Sequence, residues 1–347
     1  MTPKKNFISV IVPVYNGGNF LQRCLEALFA SDYAPFEVIV VDDGSTDESA
    51  AIARARGARV IESERPRSGP AAARNLAAKQ AKGDVLLFVD ADVVVKTDTL
   101  SKVADRFAQR PEISALFGSY DDEPFEKNFL SQYKNLQHHF VHQTSNSEAS
   151  TFWAGLGAVR RDVFLSVGGF DCERYAVPSI EDIELGVRLR AAGHRILLDR
   201  DIQAKHLKKW KLVSLVRTEI FCRAVPWSKL ILTSQGLIND MNLKTSDRAS
   251  AVLVGLSIAS IPLVFREPLF SVLILVFLAG ILFLNRKIFR FFAGKKGVFF
   301  ALLTYPWQCF YFFYSGAAFV CSWFLYGPPR MLAFGRQKSV GQAGRIN

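Results

Sequence analysis

Residues 85–95 read VLLFVDADVVV, and this stretch decides the fold. It begins with five apolar residues, Val85 to Val89, which is typical of a strand buried on both faces of a parallel sheet. In open α/β sheets the ligand crevice lies at the carboxyl ends of the strands. Asp90 and Asp92 follow the strand at that end. Paired carboxylates in such a place predict a divalent cation that is shared with the phosphates of a nucleotide.

Strands and helices alternate on both sides of this stretch. The other predicted strands span 7–14, 36–42, 59–63, 113–120, 151–159 and 195–199. Helical patterns lie between them, and Ser45 or Thr46 is expected to cap the helix after the second strand. This order predicts a right-handed, doubly wound α/β sheet. No GxGxxG motif follows the first strand, which argues against a dinucleotide-binding fold.

Charge is unevenly distributed along the 347 residues. The chain has 43 Lys and Arg against 32 Asp and Glu, a net charge of +11. From Arg248 onward there are 11 basic residues and a single acidic one, Glu267, so the preceding part is close to neutral. Because no basic face belongs to the folded domain, nucleic acid is not expected as a partner. A basic C-terminal part suits contact with anionic lipid.

Three apolar blocks lie in this C-terminal part, at 249–265, 268–284 and 298–326. Each approaches or exceeds the roughly 17–20 residues that a helix needs to cross a bilayer. Five Lys and Arg residues between the second and third blocks place that connection in the cytoplasm by the positive-inside rule. Residues 249–284 are therefore a predicted hairpin. The third block contains Pro306 and either turns back there or crosses, which leaves the side of the basic tail open.

These features predict a multi-pass protein of the inner or plasma membrane with its catalytic domain in the cytoplasm. The five cysteines show no paired spacing, which suits a reducing compartment, and we expect no signal peptide before the first strand. The predicted division is a catalytic domain at 1–230, a membrane-proximal linker at 231–248, a transmembrane region at 249–330 and a basic tail at 331–347.

Polar residues follow three strands of one half of the predicted sheet: Tyr15 and Asn16, Asp42 and Asp43, and Asp90 and Asp92. A carboxylate there can accept the imide N–H of uracil or thymine, or the hydroxyls of ribose. Arg74 lies one helical turn beyond Pro70. We expect it to reach the same edge of the sheet and to pair there with phosphate or carboxylate. The set predicts a nucleotide pocket with a metal.

Six motifs occur in order over residues 7–206: VPVYN, VVDDGSTD, GPAAARN, GDVLLFVDAD, the VRR…VGGFD block and EDIELGVRL. Together they resemble the family-2 inverting glycosyltransferases of the GT-A fold. The resemblance implies a mixed GT-A-type sheet and transfer of a hexosyl group from a nucleoside diphosphate sugar, with a UDP-sugar favoured. It also implies Mg²⁺ or Mn²⁺ as cofactor at the DxD motif.

The resemblance assigns roles by position. The nucleotide-sugar set is Pro13, Tyr15, Asn16, Asp42, Asp43, Arg74 and Asp90, with Asp42 at the base and Asp90 near the ribose. The metal set is Asp92, Asp90 and His206. Trp153, Gly155 and Glu181 would line the acceptor or donor-sugar site, and Asp182 would be the catalytic base. Inversion requires such a base, because the acceptor hydroxyl attacks opposite the leaving diphosphate and loses its proton there.

Three weaker patterns accompany these motifs. Ser179 is expected to cap a helix that starts at Glu181. The histidines at 138, 139 and 142 have helical spacing; an interfacial helix face is the favoured interpretation, although His138 and His142 could share a metal. Residues 223–227, RAVPW, form a basic and aromatic lip that we expect near a lipid phosphate or the donor diphosphate.

The predicted function is thus a membrane-anchored inverting glycosyltransferase of cell-envelope polysaccharide or glycolipid synthesis, acting on a lipid-linked or glycan hydroxyl. Two alternatives stay open. One is a polyprenyl-phosphate glycosyltransferase, although DADVVV departs from the DxDLQ-like continuation usual in mannose-type synthases of that kind. The other is a catalytically silent membrane scaffold that binds nucleotide sugar, although Asp92 and Asp182 are both present.

Overall fold

The computed structural model describes residues 5–235, 240–241 and 243–327, and the predicted basic tail at 331–347 lies outside them. The strands are β1 (Ile8–Val14), β2 (Phe36–Asp42), β3 (Arg59–Glu62), β4 (Val85–Val89), β5 (Val93–Val95), β6 (Ile113–Tyr120), β7 (Leu156–Arg160) and β8 (Arg195–His206). The helices that accompany them are α1 (Gly18–Phe29), α2 (Ser49–Ala55), α3 (Gly69–Gln80), α4 (Thr99–Gln109), α5 (Phe129–Thr144), α6 (Arg161–Ser166) and α7 (Glu181–Ala191).

The eight strands form one mixed sheet in the order β3-β2-β1-β4-β7-β6-β8-β5. The first four strands in this order are parallel, as the alternation of strands and helices predicts. Apolar side chains on one face pack with α1 and those on the other face with α3, so β1 and β4 are buried on both sides. The register pairs Val14 with Asp42, which brings the polar residues after β1 and β2 to one edge.

The second half of the sheet differs from the prediction in three strands, one of which, β5, was not predicted at all. β7 starts at Leu156 rather than at 151 and runs antiparallel to β4. β8 does not stop at Asp199 but continues to His206, where Val93 of β5 pairs with it. The extension was not predicted because its polar residues break the apolar pattern. It sets His206 beside the end of β4.

Residues 43–48 form a loop, and α2 begins at Ser49 rather than after a cap at Ser45 or Thr46. The Ser45 amide donates to Asp42 Oδ1 over 2.9 Å, which holds a tight turn where the helix was expected. Asp47 Oδ1 accepts from the Ser49 amide and Oδ2 from the Gly18 amide. The loop is thereby attached to the start of α1.

Beyond the sheet the chain is helical. The elements are α8 (Leu212–Arg217), a π-helical turn (Thr218–Ala224), α9 (Val225–Leu230), a second π-helical turn (Ile231–Gln235), α10 (Thr245–Val264), α11 (Phe270–Leu284), α12 (Arg286–Lys296) and α13 (Val298–Tyr326). Among the described residues, α10 and α13 are long and apolar enough to cross a membrane. α11 and α12 pass the same test only together, and they are bent by 70° at their junction.

α13 is one continuous helix with Pro306 inside it, so the chain does not turn back at that proline. α12 is an additional helix where only a polar connection was expected. Its Phe292 packs on Tyr133 and Leu136 of α5, and its Lys295 forms an ion pair with Asp122. The apolar helices therefore pack directly on the α/β domain.

Candidate functional site

Asp42 and Asp43 follow the same strand but have different surroundings. Asp43 Oδ1 accepts from the Ser68 amide over 3.0 Å and its Oδ2 from the Gly69 amide over 2.8 Å. Asp43 therefore holds the loop before α3. Asp42 Oδ1 binds the Ser45 amide, and its Oδ2 takes no hydrogen bond from the described residues. Asp42 thus keeps an acceptor for a ligand.

Asn16 connects the loops after β1 and β2. Its side-chain Oδ1 accepts from the Thr46 main-chain amide over 2.7 Å, and the main-chain amide of Asn16 donates to Ser45 Oγ over 2.9 Å. Its φ of +50° is unusual for a residue other than glycine, and this pair of contacts maintains it. The neighbouring Tyr15 ring is exposed and lies 5.3 Å below the Arg67 guanidinium. Pro13, within β1, is half-buried.

Arg74 is buried between two carboxylates. Its Nη2 donates to Asp90 Oδ1 over 2.7 Å and its Nη1 to Glu181 Oε1 over 3.1 Å. The guanidinium also lies 5.5 Å from the centre of the Phe170 ring. Arg74 was predicted to pair with phosphate or carboxylate, and in the structure it pairs with two carboxylates. We call Arg74 with its two partners, Asp90 and Glu181, the Arg74 fork; it joins the DxD loop to the first turn of α7, which also carries Asp182.

Glu181 is occupied on both oxygens, because Oε2 accepts from the Ser179 amide over 2.9 Å. The prediction that the Ser179 side chain caps α7 is wrong. α7 starts after Ile180, and the Ser179 hydroxyl donates instead to the Cys222 carbonyl over 2.8 Å. Cys222 belongs to the π-helical turn, which is distant in the sequence, so the residues around Glu181 do not predict that it binds the Ser179 hydroxyl.

Asp182 differs from its neighbour Glu181 in being only partly buried. Its Oδ2 accepts from the Ala154 amide over 3.1 Å, and its Oδ1 from the Ile183 amide over 2.8 Å. Burial and, second, the nearby Glu181 carboxylate raise the pKa of Asp182 to about 7. A carboxyl with that pKa can take up a proton near neutral pH.

Asp92 faces His206, whose Nε2 lies 3.5 Å from Asp92 Oδ2. Burial alone would raise the pKa of Asp92, but the hydrogen bond and charge of His206 outweigh it and lower the pKa. The described residues contain no group of three His, Cys, Asp or Glu side chains placed to hold a metal. Asp90, the third predicted ligand, is turned toward Arg74.

Tyr120 at the end of β6 was not predicted as a site residue. Its ring stacks on His206 with centroids 4.1 Å apart and planes 8° apart, and it meets Trp153 edge-on at 4.8 Å. The Asp90, Asp92 and Asp182 carboxylates all act on the pKa of Tyr120, which burial raises most. Its position at a strand end, where polar side chains gather in this fold, is the pattern that could have identified it.

Trp153 and Gly155 lie beside the DxD motif, since the Asp90 amide donates to the Gly155 carbonyl over 3.2 Å. A Cβ on Gly155 would come within 2.5 Å of the Trp153 ring, so only glycine lets the indole lie on this backbone. His138 and His142 pack against the same indole. These two histidines are therefore packed inside the domain, while His139 of the same helix stacks on Phe291 of α12.

The family model for glycosyl transferase family 2 matches residues 9–168, which include the loops after β1, β2 and β4. The chain contains a glycosyl transferase family 2 domain. The resemblance drawn from the six motifs is thereby confirmed for this family. The matched range ends before Asp182, so the role of that residue rests on the geometry.

Two curated relatives share part of the family 2 domain. Glycosyltransferase GlyG of Streptococcus pneumoniae is 36% identical over 118 residues, which are 33% of this chain and 38% of GlyG. Poly(ribitol-phosphate) beta-N-acetylglucosaminyltransferase TarS of Staphylococcus aureus is 39% identical over 102 residues, 28% of this chain and 18% of TarS. The chain thus matches well under two thirds of the length of either relative.

A crystal structure of S. aureus TarS residues 1–349 in complex with UDP-GlcNAc has a similar fold. The TM-score is 0.52 at 18% sequence identity, and the match covers 92% of each chain. The likeness confirms the predicted fold class, a GT-A-like mixed α/β sheet.

We predict that Arg74→Gln lowers the free energy of unfolding by about 3–5 kcal/mol, because it leaves the buried Glu181 and the neighbouring Asp90 without their cation. Chemical denaturation of the detergent-purified protein measures this. Arg54→Gln is the control: Arg54 pairs with Glu62 on the surface, where an ion pair contributes at most about 1 kcal/mol. Equal losses in the two variants would contradict the importance of the fork.

Proposed function

We propose that this protein is a metal-dependent, inverting glycosyltransferase that moves a hexosyl group from a nucleoside diphosphate sugar to an acceptor hydroxyl. The observation that carries the proposal is the Arg74 fork, which ties the DxD loop to the first turn of α7 and thus to Asp182, a carboxyl whose pKa is about 7. The family 2 domain and the names of GlyG and TarS support the reaction class.

The nucleotide of the donor would lie over the ends of β1 and β2. Asp42 Oδ2 would accept the imide N–H of a uracil base, for which the exposed Tyr15 ring offers a stacking surface. Asp90 would receive a ribose hydroxyl on the oxygen that Arg74 leaves open. A UDP-sugar is therefore the favoured donor. Asn16 and Asp43 would act by holding the surrounding loops.

Asp92 and His206 are suited to Mg²⁺ or Mn²⁺. Two ligands of one octahedral Mg²⁺ lie about 3 Å apart, and these side chains face each other at 3.5 Å. Two protein ligands are sufficient, because such ions take their other oxygens from substrate phosphates and water. When bound, the cation offsets negative charge on the departing diphosphate.

Asp182 would act as the general base. The amides of Ala154 and Ile183 hold its two oxygens in place, and its carboxylate form would accept the proton of the acceptor hydroxyl as the bond to the anomeric carbon forms. Trp153 would form the floor on which the acceptor lies. Glu181 would act indirectly, by holding Arg74.

The acceptor would be lipid-linked and the reaction would take place at the cytoplasmic face of the inner or plasma membrane, with α10 to α13 as multi-pass anchor. The apolar length of α10 and α13 and the exposed basic residues of α12 support this arrangement. A polyprenyl phosphate as acceptor is the second candidate. A silent scaffold that binds nucleotide sugar without turnover is the third.

We predict that transfer activity rises with pH through about 7, because Asp182 acts as a base only after it has lost its proton. Asp182→Asn should abolish transfer and keep donor binding, since the amide cannot accept the proton. Initial rates across pH and calorimetry with UDP-sugars measure the two effects. Normal turnover of Asp182→Asn would refute the base assignment, and donor binding without turnover in the wild type would favour the scaffold.

We further predict that Tyr120→Leu weakens Mn²⁺ binding by roughly tenfold, because removing a residue that orients a metal ligand has effects of this size. The stacked ring would keep His206 directed at Asp92. Tyr120→Phe retains the ring and should bind Mn²⁺ as the wild type does. Electron paramagnetic resonance of free Mn²⁺ measures the affinity.

In a His206→Ala background the Tyr120→Leu substitution should have no further effect on Mn²⁺ affinity, because its action passes through the imidazole. An additive loss in the double variant would show that Tyr120 acts by another route. Failure of the wild type to bind Mn²⁺ would instead refute the metal site itself.

A further inference from the structure

The segment Leu212–Gln235, from the start of α8 to the end of the second π-helical turn, lies between the family 2 domain and α10. It exposes four large apolar side chains, those of Leu212, Val213, Phe221 and Val225. α9 and both π-helical turns also pack against α13. An exposed apolar surface next to a candidate membrane span fits the boundary between lipid and water. We call residues 212–235 the interfacial segment.

A buried carboxylate holds this segment in place. Glu219 Oε2 accepts from Lys134 Nζ of α5 over 2.7 Å and from the Tyr314 hydroxyl of α13 over 2.9 Å, while its Oε1 accepts from Arg223 Nη1 over 2.8 Å. Burial alone would raise the pKa of Glu219, but Lys134 and Arg223 outweigh it and hold the pKa at about 2. Glu219 is therefore charged at neutral pH.

The cluster of Lys134, Arg223 and Glu219 carries two positive charges and one negative charge. The Lys134 side chain is only 14% exposed, whereas 42% of the Arg223 side chain is exposed. Within the described part of the chain, Glu219 is the only residue paired with the Arg223 guanidinium. The surplus positive charge thus reaches the solvent at Arg223, where it favours an anion.

The segment that carries Arg223 also contacts the residues just before α7, the helix that carries the proposed base Asp182. The preceding residue, Cys222, accepts the Ser179 hydroxyl with its carbonyl, and the Ser179 amide donates to Glu181. Asp182 and Tyr120 contribute to the electrostatic surroundings of Arg223, after the effects of burial and of Glu219. The Arg223 guanidinium and the Asp182 carboxylate are thus close enough to interact electrostatically.

We propose that Arg223 binds a phosphate group of the acceptor, with the apolar tail of that acceptor against the interfacial segment. The inference rests on the proposed function, because it takes Asp182 as the base. The donor diphosphate belongs at Asp92 and His206, and an inverting reaction brings the acceptor from the opposite face. A guanidinium on the helical turn that binds Ser179, just before α7, is therefore on the acceptor side, and its planar fork matches phosphate oxygens.

The test compares Arg223→Gln with the wild-type full-length chain in neutral detergent. The probes are a fluorescent polyprenyl phosphate, the corresponding polyprenol without phosphate, and UDP with Mn²⁺. We expect Arg223→Gln to weaken polyprenyl phosphate binding by roughly tenfold to a hundredfold, the usual range for a lost charge-assisted hydrogen bond. Polyprenol and UDP affinities should be unchanged.

Two further variants separate local recognition from general effects. Arg286→Gln removes an exposed arginine on α12, away from Glu219, and should leave polyprenyl phosphate affinity unchanged. Arg223→Lys keeps a cation without the planar fork and should lose only part of the affinity. In either Arg223 variant Lys134 and Tyr314 still donate to Glu219 Oε2, and the new side chain keeps an N–H donor for Oε1, so the unfolding midpoint should stay close to that of the wild type.

Three results would overturn the inference: polyprenyl phosphate affinity retained in Arg223→Gln, an equal loss in Arg286→Gln, or a matching loss of UDP affinity. The last result would assign the phosphate at Arg223 to the donor. Because these measurements need no turnover, they are independent of the Asp182→Asn experiment. Failure of the proposed reaction and failure of the phosphate site are thus distinguishable.

Discussion

The buried Arg74 guanidinium, shared between the loop after β4 and the first turn of α7, is the constraint on which the site depends. Arg74, on a helix that follows β3, binds Asp90 from the end of β4 and Glu181 from the start of α7. An isolated charge would be costly at this depth, so each of the three residues requires the others. The fork holds the loop after β4 against the first turn of α7. Asp92, two residues after Asp90, and Asp182, the residue after Glu181, are each carried by a segment that the fork holds.

Local sequence patterns were sufficient for much of the fold and for part of the site. The apolar runs at 8–14, 36–42 and 85–89 identify buried strands, and the rule that ligands lie at carboxyl strand ends selects Asp42 and Asp90. The α/β class was predicted correctly from these patterns, and the family from the resemblance of the six ordered motifs. The roles of individual residues at the site stay predictions, because neither the family match nor the fold similarity tests them.

What could not be predicted depends on contacts between residues far apart in the chain. The pairing of Arg74 with Glu181 joins positions 107 apart, and the bond between Ser179 and Cys222 diverts a hydroxyl that looks like a helix cap. The extension of β8 depends on its pairing with β5, and this pairing positions His206. The polar residues of the extension break the apolar pattern, so the strand could not be recognised from the sequence. Tyr120 belongs to the site only because β6 and β8 are neighbours.

The helical C-terminal part is connected to the site through charges as well as apolar packing. Glu219 binds α5, the π-helical turn and α13 at one point, and Ser179 continues this connection to the start of α7. α12 adds a second contact with α5 through Phe292. A shift of α13 relative to the domain would therefore reach the start of α7, which carries Asp182, through two hydrogen bonds. These join Tyr314 to Glu219 and Ser179 to Cys222. This connection explains why the cleft and the candidate membrane spans form one unit.

The most direct test of the account is a high-resolution structure of the full chain with UDP and Mn²⁺ bound. We predict that Arg74 still bridges Asp90 and Glu181, with Mn²⁺ on Asp92 and His206 and the Asp182 carboxylate facing the β-phosphate across the cleft. The contrary result would be an Arg74 guanidinium turned onto the diphosphate, with Glu181 released and Asp182 directed away from the nucleotide.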